Sequence, residues 1–433
     1  MNFLKKQMGE RNTNLRSEVL GGVTTFATMA YIVVVNPLIL SEAMGPEWTS
    51  ALMVATCLSA ALATVLMGLF TNYPIALAPG MGLNAYFAYT VVKQMGIPWE
   101  VGLSCVLLSG LLFVVLAFCR VQQFLVNAIP EGIRFGTAAG MGIFIAFIGL
   151  KSAGLVQGNP ETLVTLGEYT RPPALLAMAG IVLIGALHVL NVRGSILVGI
   201  VAVTVAGMCF GVSPAPEGVV AMPEIPAGLM GQAVMHLPEA IEVGLVSIVL
   251  TMLFVDLLDT AGTLTGVGTA AGFMKPDGMP RAREAFLADG IGTSVGALLG
   301  TSTVTSYIES ASGVEQGARS GVANYVTAGM FLLAIPFFPL ASAIPVYATA
   351  PALIVVGVMM VAQTAHVKWD DMSESLPGVV AMIGIPLSFS IAHGLSLALL
   401  IHPLVLALGG RWREVHWMGW LMAGAVVLRY SVV

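Results

Sequence analysis

The chain has 433 residues, a net charge of −5, 57% hydrophobic residues and 9% charged ones, with a mean hydropathy of +0.91. A soluble domain carries about a quarter charged residues, so the composition excludes an ordinary soluble protein and points to an all-α polytopic membrane protein. Long continuous apolar runs argue against a membrane barrel, whose strands alternate, and the lack of basic runs argues against a nucleic-acid partner.

Lys5, Lys6, Arg11 and Arg16 precede the first apolar run without a small-residue cleavage site. The segment therefore reads as a retained, cytoplasmic N-terminus rather than a signal peptide. Apolar runs then predict spans at 17–40, 50–70, 75–94, 98–118, 132–151, 173–191 and 194–213. After the Pro- and Gly-rich stretch 214–242 come 243–267, 283–300, 302–318, 320–340, 346–365, 375–391 and 393–409, and an unassigned run at 415–431. The loops at 41–49, 157–171 and 214–242 are acidic or neutral. Those holding Arg120 and Arg134, Arg193, Lys275 with Arg281 and Arg283, Arg319, and Lys368 are basic, and the two kinds alternate as the positive-inside rule requires. Arg411 and Arg413 favour the cytoplasm after the last assigned span.

The loop at 214–242 separates two halves of seven spans. An odd number inverts the second half, which is the plan of inverted-repeat transporters. At matching places, the third and tenth segments read as broken. The third is NYPIALAPGMGLNAYFAYTVV, with Pro74, Pro79, Gly80 and Gly82; the tenth is GTSTVTSYIESASG, rich in hydroxyl and β-branched residues. Each predicts an extended stretch leading into a short half-helix. Irregular backbone at membrane depth is tolerated only inside protein or beside a cavity, so the pair marks a midplane binding site.

Asp256 and Asp259 lie in TMLFVDLLDTAGTL and Glu309 in the tenth segment. An ionisable group at the centre of a span costs roughly 2.5–3.5 kcal/mol or more, so it usually serves a function. The i, i+3 spacing puts both aspartates on one helix face, continued by Thr260 and Thr263. Two charges so close repel, and a proton shared there relieves them; the plainer alternative is pairing with threonines that holds helices together. Glu309, with Ser306 and Ser310, can accept N–H groups from a planar heterocycle, or it caps the half-helix. Asn84 can offer a donor and an acceptor to a neutral ligand, helped by half-helix N–H groups. Tyr86 and Phe87 either stack on a ring or pack. No lysine or arginine stands among these residues, so the substrate is expected to be small, polar and uncharged.

The remaining features read as structural. Cys57, Cys105, Cys119 and Cys209 lack metal-ligand spacing and are taken as small buried residues. His188, His393 and His402 have no carboxylate at ligand spacing, Lys151 reads as an interface residue, and Gly136, Gly140 and Gly142 read as close helix packing. No metal or cofactor is expected.

The motifs TMAYIVVVNPLIL, APGMGLNAYFAY, PEGIRFGTAAGMGIFIAFIGL, TMLFVDLLDTAGTLTGVG and GTSTVTSYIESASGVEQGARSG resemble those of azaguanine-resistance-type purine permeases, in the nucleobase–cation and nucleobase–ascorbate transporter group. The likeness runs along almost the whole chain. It implies a multi-pass protein of the cell (inner or plasma) membrane that imports a purine base with a proton by alternating access. It also implies about fourteen segments as a seven-plus-seven inverted repeat. Residues 1–128 (segments 1–4) and 243–343 (segments 8–11) would form a core, 129–213 and 344–433 a gate, 214–242 an extracytoplasmic loop, and two copies a dimer. Asp256 and Glu309 would contact the base with Asn84, Ser306 and Thr260 beside it, and Asp259 would serve transport; proton coupling would involve Asp256, Asp259 and Glu309. Carriers of uracil or xanthine usually have Glu where this chain has Asp256. A proton or cation channel would lack paired broken segments, and an intramembrane aspartyl protease needs a GxGD motif that is absent.

Overall fold

The computed structural model describes residues 2–119, 129–216, 218–221, 225–241, 245–275 and 279–432. Arg120, positions 222–224 and 242–244 of the long loop, and the boundary near 128 lie outside the described residues. The chain divides into two compact units, Met1–Cys119 with Leu150–Ala352, and Arg120–Gly149 with Leu353–Val433.

In the larger unit a short helix α1 (Asn2–Glu10) precedes α2 (Leu15–Met29) and α3 (Ile32–Met44), which are separated by a turn at Ala30 and Tyr31. Pro37 lies within α3, where it removes an N–H and crowds the preceding turn. Helix α4 (Thr49–Thr71) leads to strand β1 (Leu77–Pro79), the half-helix α5 (Met81–Ala85) and a wider turn of helix over Tyr86–Gln94. Helix α6 (Trp99–Phe118) follows. After α7 (Glu131–Ser152), which runs across the unit boundary, a hairpin β2 (Val156–Asn159) and β3 (Leu163–Leu166) occupies the loop where no strand was expected. Helices α8 (Pro172–Val189), α9 (Ser195–Cys209), α10 (Val246–Ala270) and α11 (Ala282–Leu299) lead to strand β4 (Val304–Ser306), the half-helix α12 (Ser310–Glu315) and α13 (Val322–Ala334).

The runs 75–94 and 302–318 are therefore not continuous helices. Their strands pair antiparallel, Leu77 with Ser306, Ala78 with Thr305 and Pro79 with Val304. Flanking bonds from Gly80 N to the Thr303 carbonyl (2.9 Å) and Tyr307 N to the Ala76 carbonyl (3.0 Å) extend the pairing. A two-stranded ribbon in a membrane leaves outer-edge groups that water cannot satisfy. Threonines on neighbouring helices meet them. Thr64 Oγ1 on α4 accepts from Leu77 N (2.9 Å) and donates to its carbonyl (2.9 Å). Thr293 Oγ1 on α11 does the same for Val304 at 3.2 and 2.8 Å.

In the smaller unit, α7 packs against α15 (Met372–Ser388) after α14 (Val346–Val361), and α16 (Ile391–Leu408) and α17 (Trp417–Val432) follow. A Cβ on Gly136 would lie 2.3 Å from the Gly378 carbonyl oxygen, so only glycine permits that approach. Among the described residues nine helices are long and apolar enough to cross a membrane. Cys57 and Cys105 are buried, but Cys119 and Cys209 are exposed, because each lies at the end of a helix rather than within it.

Candidate functional site

The site is built on the β1–β4 ribbon, α10 and α11. Asp256, Asp259 and Thr260 lie on α10, Thr305 and Ser306 on β4, and Glu309 immediately before α12. Asp256 is wholly enclosed; its Oδ2 lies 3.4 Å from Thr293 Oγ1. Asp259 and Glu309 are each partly accessible. Thr260 Oγ1 stands 3.1 Å from Thr305 Oγ1, which in turn stands 3.5 Å from Asp259 Oδ2. Thr263 is buried one turn further along α10.

A fourth carboxylate completes the cluster. Asp289, in the middle of α11, is fully enclosed and accepts from the Thr260 hydroxyl. Asp289, Thr260, Thr305 and Asp259 thus form a continuous chain of polar groups across three elements. Sequence reasoning passed over Asp289, although its signal was present: a lone carboxylate in the small-residue run LADGIGTSVGALLG. Asp256 Oδ1, Asp289 Oδ1 and Ser306 Oγ have no hydrogen-bond partner among the described residues. A buried polar atom left unpaired is costly unless the site uses it. Among the described residues no lysine or arginine is buried, so the cluster favours a neutral or protonated guest over an anion.

Glu309 occupies the N-cap position of α12, yet its side chain makes no capping bond. Its Oε1 instead accepts from the Tyr31 hydroxyl at 2.8 Å. Asn84 is fully buried, and both ends of its amide meet protein. Its Nδ2 donates to Asn36 Oδ1 (2.5 Å), and its Oδ1 accepts from the Ser302 hydroxyl. Asn36 Nδ2 also lies 2.7 Å from Thr56 Oγ1 and 3.1 Å from Thr301 Oγ1. The two interrupted segments are thereby tied together. Tyr86 and Phe87 are buried in packing, Phe87 against Gly102. A cavity of about 410 Å³ lined by Glu10, Arg11, Tyr73, Phe273, Lys275 and Arg281 contains none of the carboxylates of the cluster.

The sequence model of the Permease family (Xan_ur_permease) matches residues 16–400. The chain belongs to this family. It is similar to a guanine/hypoxanthine permease, PbuG, of Bacillus subtilis, at 44% identity over 95% of each chain. It is also similar to an adenine permease, AdeP, of Escherichia coli, at 41% identity over 94% of this chain and 91% of the other. Among solved structures, the transmembrane domain of a cyanobacterium bicarbonate transporter, BicA, shares the fold with a TM-score of 0.65 at 19% identity, covering 89% of this chain and 97% of that one. The family and the apolar helices make this protein a multi-pass membrane permease, not an enzyme.

Proposed function

We propose that this permease imports a purine nucleobase together with a proton. The observation that carries the reading is the carboxylate cluster beside two half-helices: Glu309 and Asp259 accessible, Asp256 and Asp289 enclosed behind them, and no buried cation among the described residues. The expectation that Asp256 contacts the base is revised, because Asp256 is wholly enclosed while Asp259 is partly accessible: Glu309 and Asp259 accept N–H groups from the edge of the base, with Ser306 and the half-helix N–H groups beside them. Asp256 and Asp289 hold the proton, and the hydroxyls of Thr260 and Thr305 link Asp289 to Asp259; the proton offsets the cost of enclosing carboxylates without a counter-ion. Asn84 keeps the half-helices in register. The named relatives support a purine as the base.

Transport then follows alternating access in a seven-plus-seven inverted repeat. Residues 1–128 and 243–343 act as a core that carries the base, and 129–213 with 344–433 act as a gate. The protein resides in the inner or plasma membrane with a cytoplasmic N-terminus and works as a homodimer. The test is uptake of radiolabelled guanine, hypoxanthine and adenine into cells lacking their own purine carriers, with wild type and Glu309→Ala. Saturable uptake of one base, lost in Glu309→Ala with membrane insertion retained, is the expected result. Undiminished uptake by Glu309→Ala would refute the reading.

A further inference from the structure

We propose that Tyr31 is a positioning residue that sets which base edge Glu309 accepts. The inference rests on the reading above, in which Glu309 binds the substrate. Tyr31 lies in the turn between α2 and α3 and is 1% exposed. Its hydroxyl donates to Glu309 Oε1 at 2.8 Å. The backbones carrying the two groups are held at close quarters. A Cβ on Gly313 of α12 would lie 2.2 Å from Thr25 Oγ1 and 2.7 Å from the Gly21 carbonyl of α2, and a Cβ on Gly21 would lie 2.5 Å from Ala318 Cβ. Thr28 Oγ1 reaches the Glu309 carbonyl at 3.5 Å, and Ser312 Oγ reaches it at 2.7 Å. Tyr31 therefore meets Glu309 through a rigid contact between α2 and α12 rather than through a mobile side chain.

A free carboxylate presents two oxygens and can take two adjacent N–H donors at once. Here Oε1 already accepts from Tyr31, which fixes the direction of the carboxylate and leaves Oε1 the weaker of its two acceptors for a ligand. One strong acceptor matches a base edge with one N–H, as hypoxanthine presents at N1. The contact with Tyr31 weakens the second of the two bonds that guanine can make to this carboxylate, since its N1–H and exocyclic amine lie side by side. Tyr31 thus equalises two bases that an unrestrained glutamate would tell apart. Removing the hydroxyl restores Oε1 as a full acceptor and strengthens the second bond to guanine.

The experiment is calorimetric titration of hypoxanthine and of guanine into the purified full-length protein, as wild type and as Tyr31→Phe, with the thermal midpoint of each in the same detergent. The proposal expects the affinity ratio to move toward guanine by about tenfold in Tyr31→Phe, with the thermal midpoint unchanged. A ratio within about twofold of wild type, both affinities falling together, would overturn it, since a purely structural tyrosine weakens both bases alike. Tyr31→Leu, which also lacks the hydroxyl, replaces the Phe variant if that does not fold; failure of both to fold would assign the hydroxyl to stability and overturn the proposal. A wild-type protein that binds neither base would refute the functional reading and this inference with it, an outcome distinct from an unchanged ratio.

Discussion

At the scale of single residues, the neighbours of each carboxylate decide its task. Asp256 and Asp289 are enclosed, and each keeps one oxygen without a partner among the described residues. Asp259 and Glu309 reach accessible space. Thr260 and Thr305 join the two sets, so the proton proposed at Asp289 would be linked through hydroxyls to Asp259. Replacing Asp289 by Asn keeps its shape but removes the charge that a proton would neutralise. Uptake by Asp289→Asn is expected to fall by at least about tenfold, equivalent to about 1.4 kcal/mol, with membrane expression unchanged; uptake at the wild-type rate would remove Asp289 from the proton path. Asp256, Asp259 and Glu309 were legible in the sequence because charge in an apolar run is conspicuous. The bonds of Tyr31, Asn36 and Ser302 were not, because they join residues far apart in the chain, and neither tyrosine nor asparagine stands out there as a carboxylate does.

At the scale of elements, the interrupted segments depend on polar side chains that stand in for water. Thr64 and Thr293 serve the strands. Glu18 serves a helix end. It is fully buried in α2, and its carboxylate accepts from the backbone N–H groups of Arg319 (2.9 Å), Ser320 (3.2 Å) and Ala323 (3.2 Å) at the start of α13. Those N–H groups have no intrahelical partners, and a negative charge complements the helix dipole there. Glu18→Ala is expected to cost roughly 2 kcal/mol, read as a thermal midpoint lowered by several degrees in detergent; an unchanged midpoint would show that the cap is dispensable. The breaks in segments 3 and 10 were readable from Pro74, Pro79 and the β-branched run before Glu309. The pairing of β1 with β4 was not, because register depends on contacts more than 200 positions apart in sequence. The β2–β3 hairpin was missed for a different reason: a short polar loop gives no long apolar period to read.

At the scale of the whole molecule, the proposed orientation rests on loop charge. In the proposed orientation the basic loops lie in the cytoplasm, with the end of α6 inside and the end of α9 outside. Two native cysteines lie at those ends, Cys119 after α6 and Cys209 closing α9, both exposed and free. In intact cells a membrane-impermeant maleimide is expected to label Cys209 and leave Cys119 unlabelled until the membrane is opened; the reverse pattern would invert the topology. Composition and apolar runs made the membrane class and most helices legible. Where two helices form one kinked span, as α2 and α3 do around Tyr31 and Pro37, hydropathy alone sees a single run.

The central claim is that a proton gradient drives the base across the membrane. Purified protein in proteoliposomes, given an imposed inward proton gradient and external radiolabelled guanine or hypoxanthine, tests it without any other carrier present. The account predicts that the base accumulates above its external concentration and that a protonophore abolishes the accumulation. Uptake that only equilibrates, unaffected by the gradient, would contradict proton symport and leave a facilitative permease.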